Sequence, residues 1–558
     1  MKDEIKNLYA AILLSALVIV VVSHYMKPKI ASKPVVENVQ TEQQIAPLEN
    51  VSEQSMKEIK SSQEIISEDS RVNFENDAIK GSIRLRGARI DNLLLKKYKE
   101  NLDEDSPDVE LLAPGGAPHP YYSQFGWLSY GENEVKVPDE NTIWEAKGNK
   151  LTPEKPITLE WDNGEGVKFI NKISLDNNYM FQVEQFVENN TNKEIEIVPY
   201  ALLTKNIKDD DGKIRVVHKG MIGVFNDKLK ELRYQEMNKV GEKEEFVSKR
   251  SWAGFSDHYW FSALIFNNQK ESKISFKHTS ENSYQTDYIL PVVKVQSGSS
   301  AVNAFAFYSG AKEIKLLDKY VKEQGIQKFD LAVDFGWYYF LTKPFFYILD
   351  FLYHIIGNMG WAILLFAALL RLCMFPIANK SFESMSKMRK FQPKIQELQE
   401  RYKDNKPKLQ QEMMNLYRKE KINPASGCLP MFIQIPVFFS LYKVLNISIE
   451  IRHAPFVGWI KDLSAPDPLV LSEILHIYIP SFFNVGVWPL LMGLTMFIQQ
   501  KLNPAPANKD QARAFMLMPV IFTFMMGHFA SGLIIYWTFS NILSLIQQKT
   551  IMYKNGVK

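Results

Sequence analysis

The chain has 558 residues, 46% of them apolar, with a formal net charge of +3 and two cysteines. That length allows more than one domain, the small positive balance gives no ground for a nucleic-acid binder, and Cys373 and Cys428 both lie in the apolar half, so the polar half has no disulfide framework. The average conceals two unlike halves: residues from about 30 to 330 are polar, charged and strand-like, whereas those from about 335 to 550 are dense in Phe, Leu, Ile, Met and Trp.

Leu8 to Tyr25 is long enough to cross a bilayer and follows Lys2 and Lys6. No convincing small-x-small cleavage site comes after it, so residues 1–27 read as an uncleaved signal anchor rather than a cleaved signal peptide. Residues 28–70 are rich in Ser, Gln, Glu and Lys with few aromatics, a composition that predicts a flexible tether. From 71 to 330 short alternating runs recur, such as Ser82 to Arg86, Lys168 to Ile173 and Tyr179 to Val187, with turns at Asn163-Gly164 and Asp211-Gly212. Alternation at period two over many segments predicts an antiparallel β-sandwich whose strands end near residue 315.

Residues 334–352 are aromatic but punctuated by charge, which suits a helix lying at headgroup level. Crossing segments are predicted at 355–376, 429–448, 484–502, 514–530 and 533–550. With the signal anchor they make six spans, so the fold class is a multi-pass α-helical membrane protein carrying a large all-β sandwich. The last two share an apolar run too long for one span, and Ala530-Ser531-Gly532 offers the break. Residues 377–427 hold twelve Lys and Arg against six acids, which marks that loop as cytoplasmic. Counting back one span puts the β-domain in the periplasm and the N-terminus inside. Counting forward puts Lys509, Arg513 and the 553–558 tail inside as well.

Arg371 stands within the apolar run Trp361 to Phe375. A guanidinium cannot shed its charge, so in a span it must reach water, a partner or a polar cavity; near the cytoplasmic surface it could also snorkel. The last span carries Trp537, Ser540, Asn541, Ser544, Gln547 and Gln548 at spacings of three to four, which makes one polar stripe. Gln434, Ser440 and Tyr442 lie in the span at 429–448, and Thr495, Gln499 and Gln500 in the next. Any one of these could be helix-to-helix glue, but together, in the same half as Arg371, they favour a shared hydrated groove. Pro430, Pro436, Pro489 and Pro519 kink the spans, and the short last two suit a locally thinned bilayer. In the 377–427 loop, Phe382 to Arg401 and Lys408 to Lys421 are helical in pattern, with Lys406-Pro407 between them, which predicts a hairpin. Met385, Met388, Met413 and Met414 suit either variable hydrophobic sequences or a packed core, and the basic surface suits ribosomal RNA, anionic lipid or plain solvation.

No His-Glu-x-x-His, phosphate-binding Gly loop, Gly-x-Ser-x-Gly or metal-type Cys and His cluster occurs. The expectation is a protein that is not an enzyme and needs no cofactor and no metal. Cys373 and Cys428 are expected to be packing residues.

Gln392-Pro393-Lys394-Ile395-Gln396, Asn423-Pro424, Gly427-Cys428-Leu429-Pro430 and Gln434-Ile435-Pro436 resemble the YidC family of membrane insertases, relatives of the mitochondrial oxidase-assembly and chloroplast Albino proteins. Met518-Pro519-Val520-Ile521-Phe522, Ser531-Gly532-Leu533 and Asn541 match the family's last two spans. The resemblance implies an insertase core at 334–552 in the bacterial inner membrane, with a groove open to the cytoplasm and to lipid but closed to the periplasm. It implies that Arg371 is the groove arginine, with Gln434, Trp537, Ser540 and Asn541 in the substrate-binding groove, and that Phe438, Tyr536 and Trp537 form a hydrophobic slide. It implies that the hairpin receives the nascent chain, and that the partners are nascent membrane proteins, the ribosome, the Sec translocon (SecYEG and SecDF) and membrane lipid. Ala367, one turn before Arg371, departs from the Thr of some relatives, and the long apolar 466–483 connection suggests an added interfacial helix. Two rival readings are a small-molecule transporter, which would need repeated halves and a second buried charge, and a carbohydrate-binding or carbohydrate-modifying β-domain on an anchor.

Overall fold

The computed structural model describes residues 60–556 apart from 132–133, 209–216, 241–242, 281, 404, 421–428 and 505–508. The expected signal anchor, most of the expected tether, Asp211-Gly212 and Cys428 lie outside the described residues. Two units divide the chain, Met1–Asp334 and Phe335–Lys558.

The first unit opens with a short helix, α1 (Ser62–Glu68), at the end of the stretch expected to be a tether. Its start is a capping box: Ser61 Oγ accepts from Glu64 N at 3.3 Å while Glu64 Oε2 accepts from Ser61 N at 2.9 Å. Ile65 then packs on Ala113 and Ala117, so a local cap and one apolar side chain fasten these residues to the strands.

Strand residues dominate from Arg71 to Ala311. One run of hydrogen-bonded strands passes from Glu145–Lys147 through Ile157–Asp162, Val167–Leu175, Met180–Asn189 and Ser299–Ala311. Another passes from Arg71–Glu75 through Ile79–Arg84, Arg89–Lys99, Tyr121–Tyr130, Ile195–Asn206 and Ser283–Ile289. The 21-residue strand Trp260–Ser280 serves both runs. Its start pairs with the end of Ser299–Ala311, its end pairs with Ser283–Ile289, and between them its register against Lys243–Ser256 slips at Ser248/Arg250. Period-two alternation is visible along Met180–Asn189, where Phe181, Val183, Gln185, Val187 and Asn189 are buried and Gln182 is exposed. The two layers meet through Phe74 on Phe181 (5.2 Å between ring centroids) and Phe125 on Phe305 (5.5 Å). This is the β-sandwich that the alternation predicts. Helix α2 (Tyr234–Val240) interrupts the strands, and α3 (Ile314–Glu323) follows them, burying Ile314, Leu316, Leu317 and Tyr320.

The second unit is helical. Helix α4 (Tyr339–Ile356) ends at Gly357, whose φ of +76° is open to glycine at little steric cost. Asn358 then caps the next helix, its Oδ1 accepting from Trp361 N at 3.1 Å. The segment expected at headgroup level and the first expected core span are therefore separate helices. The second of these, α5 (Met359–Lys390), has 32 residues and is the one described helix long and apolar enough to cross a membrane by length and composition. It runs past Pro376 to Lys390, so the first hairpin stretch is split between α5 and α6 (Gln392–Arg401), with Pro393 in the first turn of the latter. Next come α7 (Lys406–Lys419), α8 (Leu429–Ile447), α9 (Leu471–Leu475), α10 (Val487–Leu502), α11 (Lys509–Met526) and α12 (Ser531–Lys554). The break between the last two falls beside Ala530-Ser531-Gly532. The 466–483 connection holds the five-residue α9 and a 3-10 turn at Ser481–Phe483.

Helix α12 packs on α5 and α10, α10 on α11, and α4 on α5 and α8. At Gly493 of α10 a Cβ would lie 2.0 Å from Thr523 Oγ1 of α11, so only a hydrogen lets the two helices approach this closely.

Candidate functional site

Arg371 lies about three turns into α5 and is half-buried. Its Nε and Nη2 are buried and have no hydrogen-bond partner among the described residues. The Phe382 ring stands 5.8 Å from its Cζ, and Tyr536 of α12 is within electrostatic range. Buried donors left unmade cost about 1–3 kcal/mol each, more for a charged group, so this guanidinium is suited to taking up water or an anionic group. Gln434 of α8 donates from Nε2 to Tyr536 Oη at 2.9 Å. Ser440, also on α8, is fully buried with its Oγ unpartnered among the described residues. Three helices thus bring polar side chains into one region of the bundle.

The rest of the stripe on α12 does something different. Asn541 Nδ2 donates to Thr495 Oγ1 of α10 at 3.1 Å, Gln548 Nε2 to Asn503 Oδ1 at 3.1 Å, and Gln547 Nε2 to Asn379 Oδ1 of α5 at 2.8 Å. These are interhelical bonds of the kind that holds spans together. Ser540 is half-buried and its carbonyl accepts from Ser544 Oγ at 2.8 Å. Sequence reasoning passed over Asn379, Asn503 and Arg389, whose Nη1 donates to Leu502 O at 3.1 Å. Asn379 and Asn503 carry one signal in the sequence, a polar residue soon after an apolar run, and Arg389 carries none.

Phe438 of α8 meets Trp537 of α12 with ring centroids 4.8 Å apart, and Trp537 also meets Phe522 of α11 at 5.9 Å. Tyr536, placed on the slide by resemblance, is buried with its hydroxyl on Gln434. Among the hairpin methionines, Met385 packs against Ala378, Phe382 and Ile551, Met388 and Met413 are half-buried, and Met414 is exposed. Cys373, expected to pack, is exposed instead. No group of three or more His, Cys, Asp or Glu among the described residues is placed to hold a metal ion.

Residues 71–348 match the model of the YidC periplasmic domain, and residues 351–557 match that of the 60Kd inner membrane protein. A solved structure described as an active YidC insertase with its first transmembrane domain resolved is 18% identical, with a TM-score of 0.37, over 85% of this chain and 91% of that one. Proteins named membrane protein insertase YidC are 41% identical in Rickettsia bellii (strain OSU 85-389) and 43% identical in Rickettsia canadensis (strain McKiel), each alignment covering 98% of this chain and 99% of the relative. Family models over both units and this identity along nearly the whole length leave one assignment: the chain belongs to the YidC family of membrane protein insertases.

Proposed function

We propose that this protein inserts newly made membrane proteins into the bacterial inner membrane and assists their folding and assembly, alone or with the Sec translocon. Six spans cross the membrane, with both termini in the cytoplasm and the β-sandwich in the periplasm. The observation that carries the mechanism is the half-buried Arg371, whose Nε and Nη2 have no hydrogen-bond partner among the described residues. A fixed positive charge with unfilled donors attracts acidic or polar residues of a substrate's translocated segment and holds them part-way across the bilayer. Gln434 and Tyr536 extend the polar surface beside it. The apolar part of the substrate passes along Phe438 and Trp537 into lipid. The hairpin at 377–427, with Met414 exposed on it, meets the nascent chain as it leaves the ribosome.

The test uses the full chain in liposomes while a small single-span substrate that needs no translocon is synthesised alongside. Protection of the translocated segment from added protease, relative to empty liposomes, is the expected result. No protection, with a working relative run in parallel, would sink the idea of unaided insertion.

A further inference from the structure

An arginine in an apolar run keeps its charge only if something offsets the hydration it has lost. A carboxylate beside Arg371 would do so by neutralising the charge and filling the N–H donors. The two groups that stand beside it act otherwise. Tyr536 has its phenol oxygen engaged by Gln434 Nε2, and Phe382 offers a ring whose centroid lies 5.8 Å from Arg371 Cζ. The face of an aromatic ring carries negative potential and attracts a guanidinium within about 6 Å without needing an N–H. Nε and Nη2 stay buried with no hydrogen-bond partner among the described residues.

Sequence spacing produces the contact. Arg371, Ala378, Phe382 and Met385 follow one another at intervals of seven, four and three, so they share one face of α5. That face meets α12 at Ile551, where Ala378, Phe382 and Met385 pack. Phe382 is 5% exposed, so its ring is held in place from the α12 side. Eleven residues of helix rise about 16 Å, and helical side chains ordinarily lean toward the N-terminus. The ring leans back along α5 in that way, and Arg371 extends forward to meet it.

We propose that Phe382 is the positioning residue of Arg371: its ring fixes the guanidinium toward the hairpin end of α5 and leaves Nε and Nη2 to an acidic group of the substrate. The proposal deepens the insertase reading and rests on it. Phe382 opens the stretch that the sequence assigns to the hairpin, yet its ring serves the arginine. The ring stabilises the charge without competing for the donors, so it sets how strongly an acidic translocated segment is favoured over a neutral one.

The experiment places the full chain in liposomes and measures protease protection of two single-span substrates that differ only in an acidic or a neutral translocated segment. The readout is the ratio of acidic to neutral protection, which a purely structural role would not move. Phe382→Leu keeps an apolar side chain against Ile551 but loses the ring, and is expected to lower the ratio by about threefold to tenfold. Phe382→Tyr restores the ring and returns the ratio to within about twofold of wild type. A trifluorinated phenylalanine in place of Phe382 keeps the shape but weakens the negative face, so its ratio falls between those of wild type and Phe382→Leu. A wild-type ratio in both Phe382→Leu and the trifluorinated protein overturns the proposal, as does an equal loss for both substrates. If Phe382→Leu does not fold, the trifluorinated protein decides by itself. If the wild type protects neither substrate, the insertase reading fails, and thermal unfolding in detergent still tests the contact. Midpoint shifts of Arg371→Gln and Phe382→Leu that are smaller together than their sum support it, and additive shifts overturn it.

Discussion

Gln434 and Tyr536 join two helices that the sequence keeps about a hundred residues apart: the amide Nε2 on α8 donates to the phenol oxygen on α12 at 2.9 Å. The bond sets the polar side of α8 against the same tyrosine that neighbours Arg371. A double-mutant cycle with Gln434→Leu and Tyr536→Phe is expected to give a coupling of about 1 kcal/mol in the unfolding of the full chain in detergent. Additive single effects would mean that the bond contributes nothing.

Arg371 offers a test of charge against shape. Arg371→Lys keeps the positive charge and is expected to retain insertion within about threefold, whereas Arg371→Ala loses at least about tenfold for a substrate with an acidic translocated segment. A substrate with a neutral segment is expected to narrow the gap. Equal protection by wild type and both variants would remove the electrostatic step from the mechanism and leave insertion itself standing.

At Gly493 two opposing effects meet. Alanine is the better helix former by about 1 kcal/mol, but its methyl would fall 2.0 Å from Thr523 Oγ1. Thr523 is buried and its hydroxyl is bonded to Pro519 O at 2.8 Å, so it cannot step aside freely. Gly493→Ala is expected to destabilise the full chain by about 1–2 kcal/mol net, seen as a lower thermal midpoint in detergent. Adding Thr523→Ala removes the clashing oxygen and should recover most of the loss. No recovery would place the strain elsewhere.

The β-sandwich carries a pH dependence through His218. Burial holds this imidazole down at about 4, against 6.5 in the unfolded chain, and its Nε2 lies 3.0 Å from Met221 O. Between those two values the unfolded chain binds a proton that the folded chain does not. His218 therefore costs nothing above about pH 7, and stability falls as pH drops through the window, by about 3 kcal/mol in full. His218→Gln retains an N–H for Met221 O and does not titrate. Urea unfolding of the full chain at pH 7.5 and pH 5 is expected to show a smaller difference for the variant. An unchanged difference would assign the pH dependence to other groups.

Much of this was legible in the chain. Period-two alternation gave the strands because a residue's face in a sheet depends on its own position, and long apolar runs marked the helices of the second unit for the same local reason. Family motifs at Gln392-Pro393 and Ser531-Gly532 pointed to the insertase. The helix boundary at Gly357-Asn358 and the run of α5 through Pro376 were less visible, since a proline is tolerated where neighbouring helices re-satisfy its freed carbonyl.

Composition and periodicity by themselves determined two halves, their secondary structure and the presence of Arg371 in an apolar run. Only tertiary structure decided what the polar residues do. Asn541, Gln547 and Gln548 share one stripe with Ser540, yet they bond to α10, to α5 and to Asn503 at the end of α10, while Gln434 and Tyr536 pair beside Arg371. Spacing assigns a residue to a face of its own helix. Which partner meets that face depends on how the helices cross, and that is set by side-chain packing over many residues far apart in the chain.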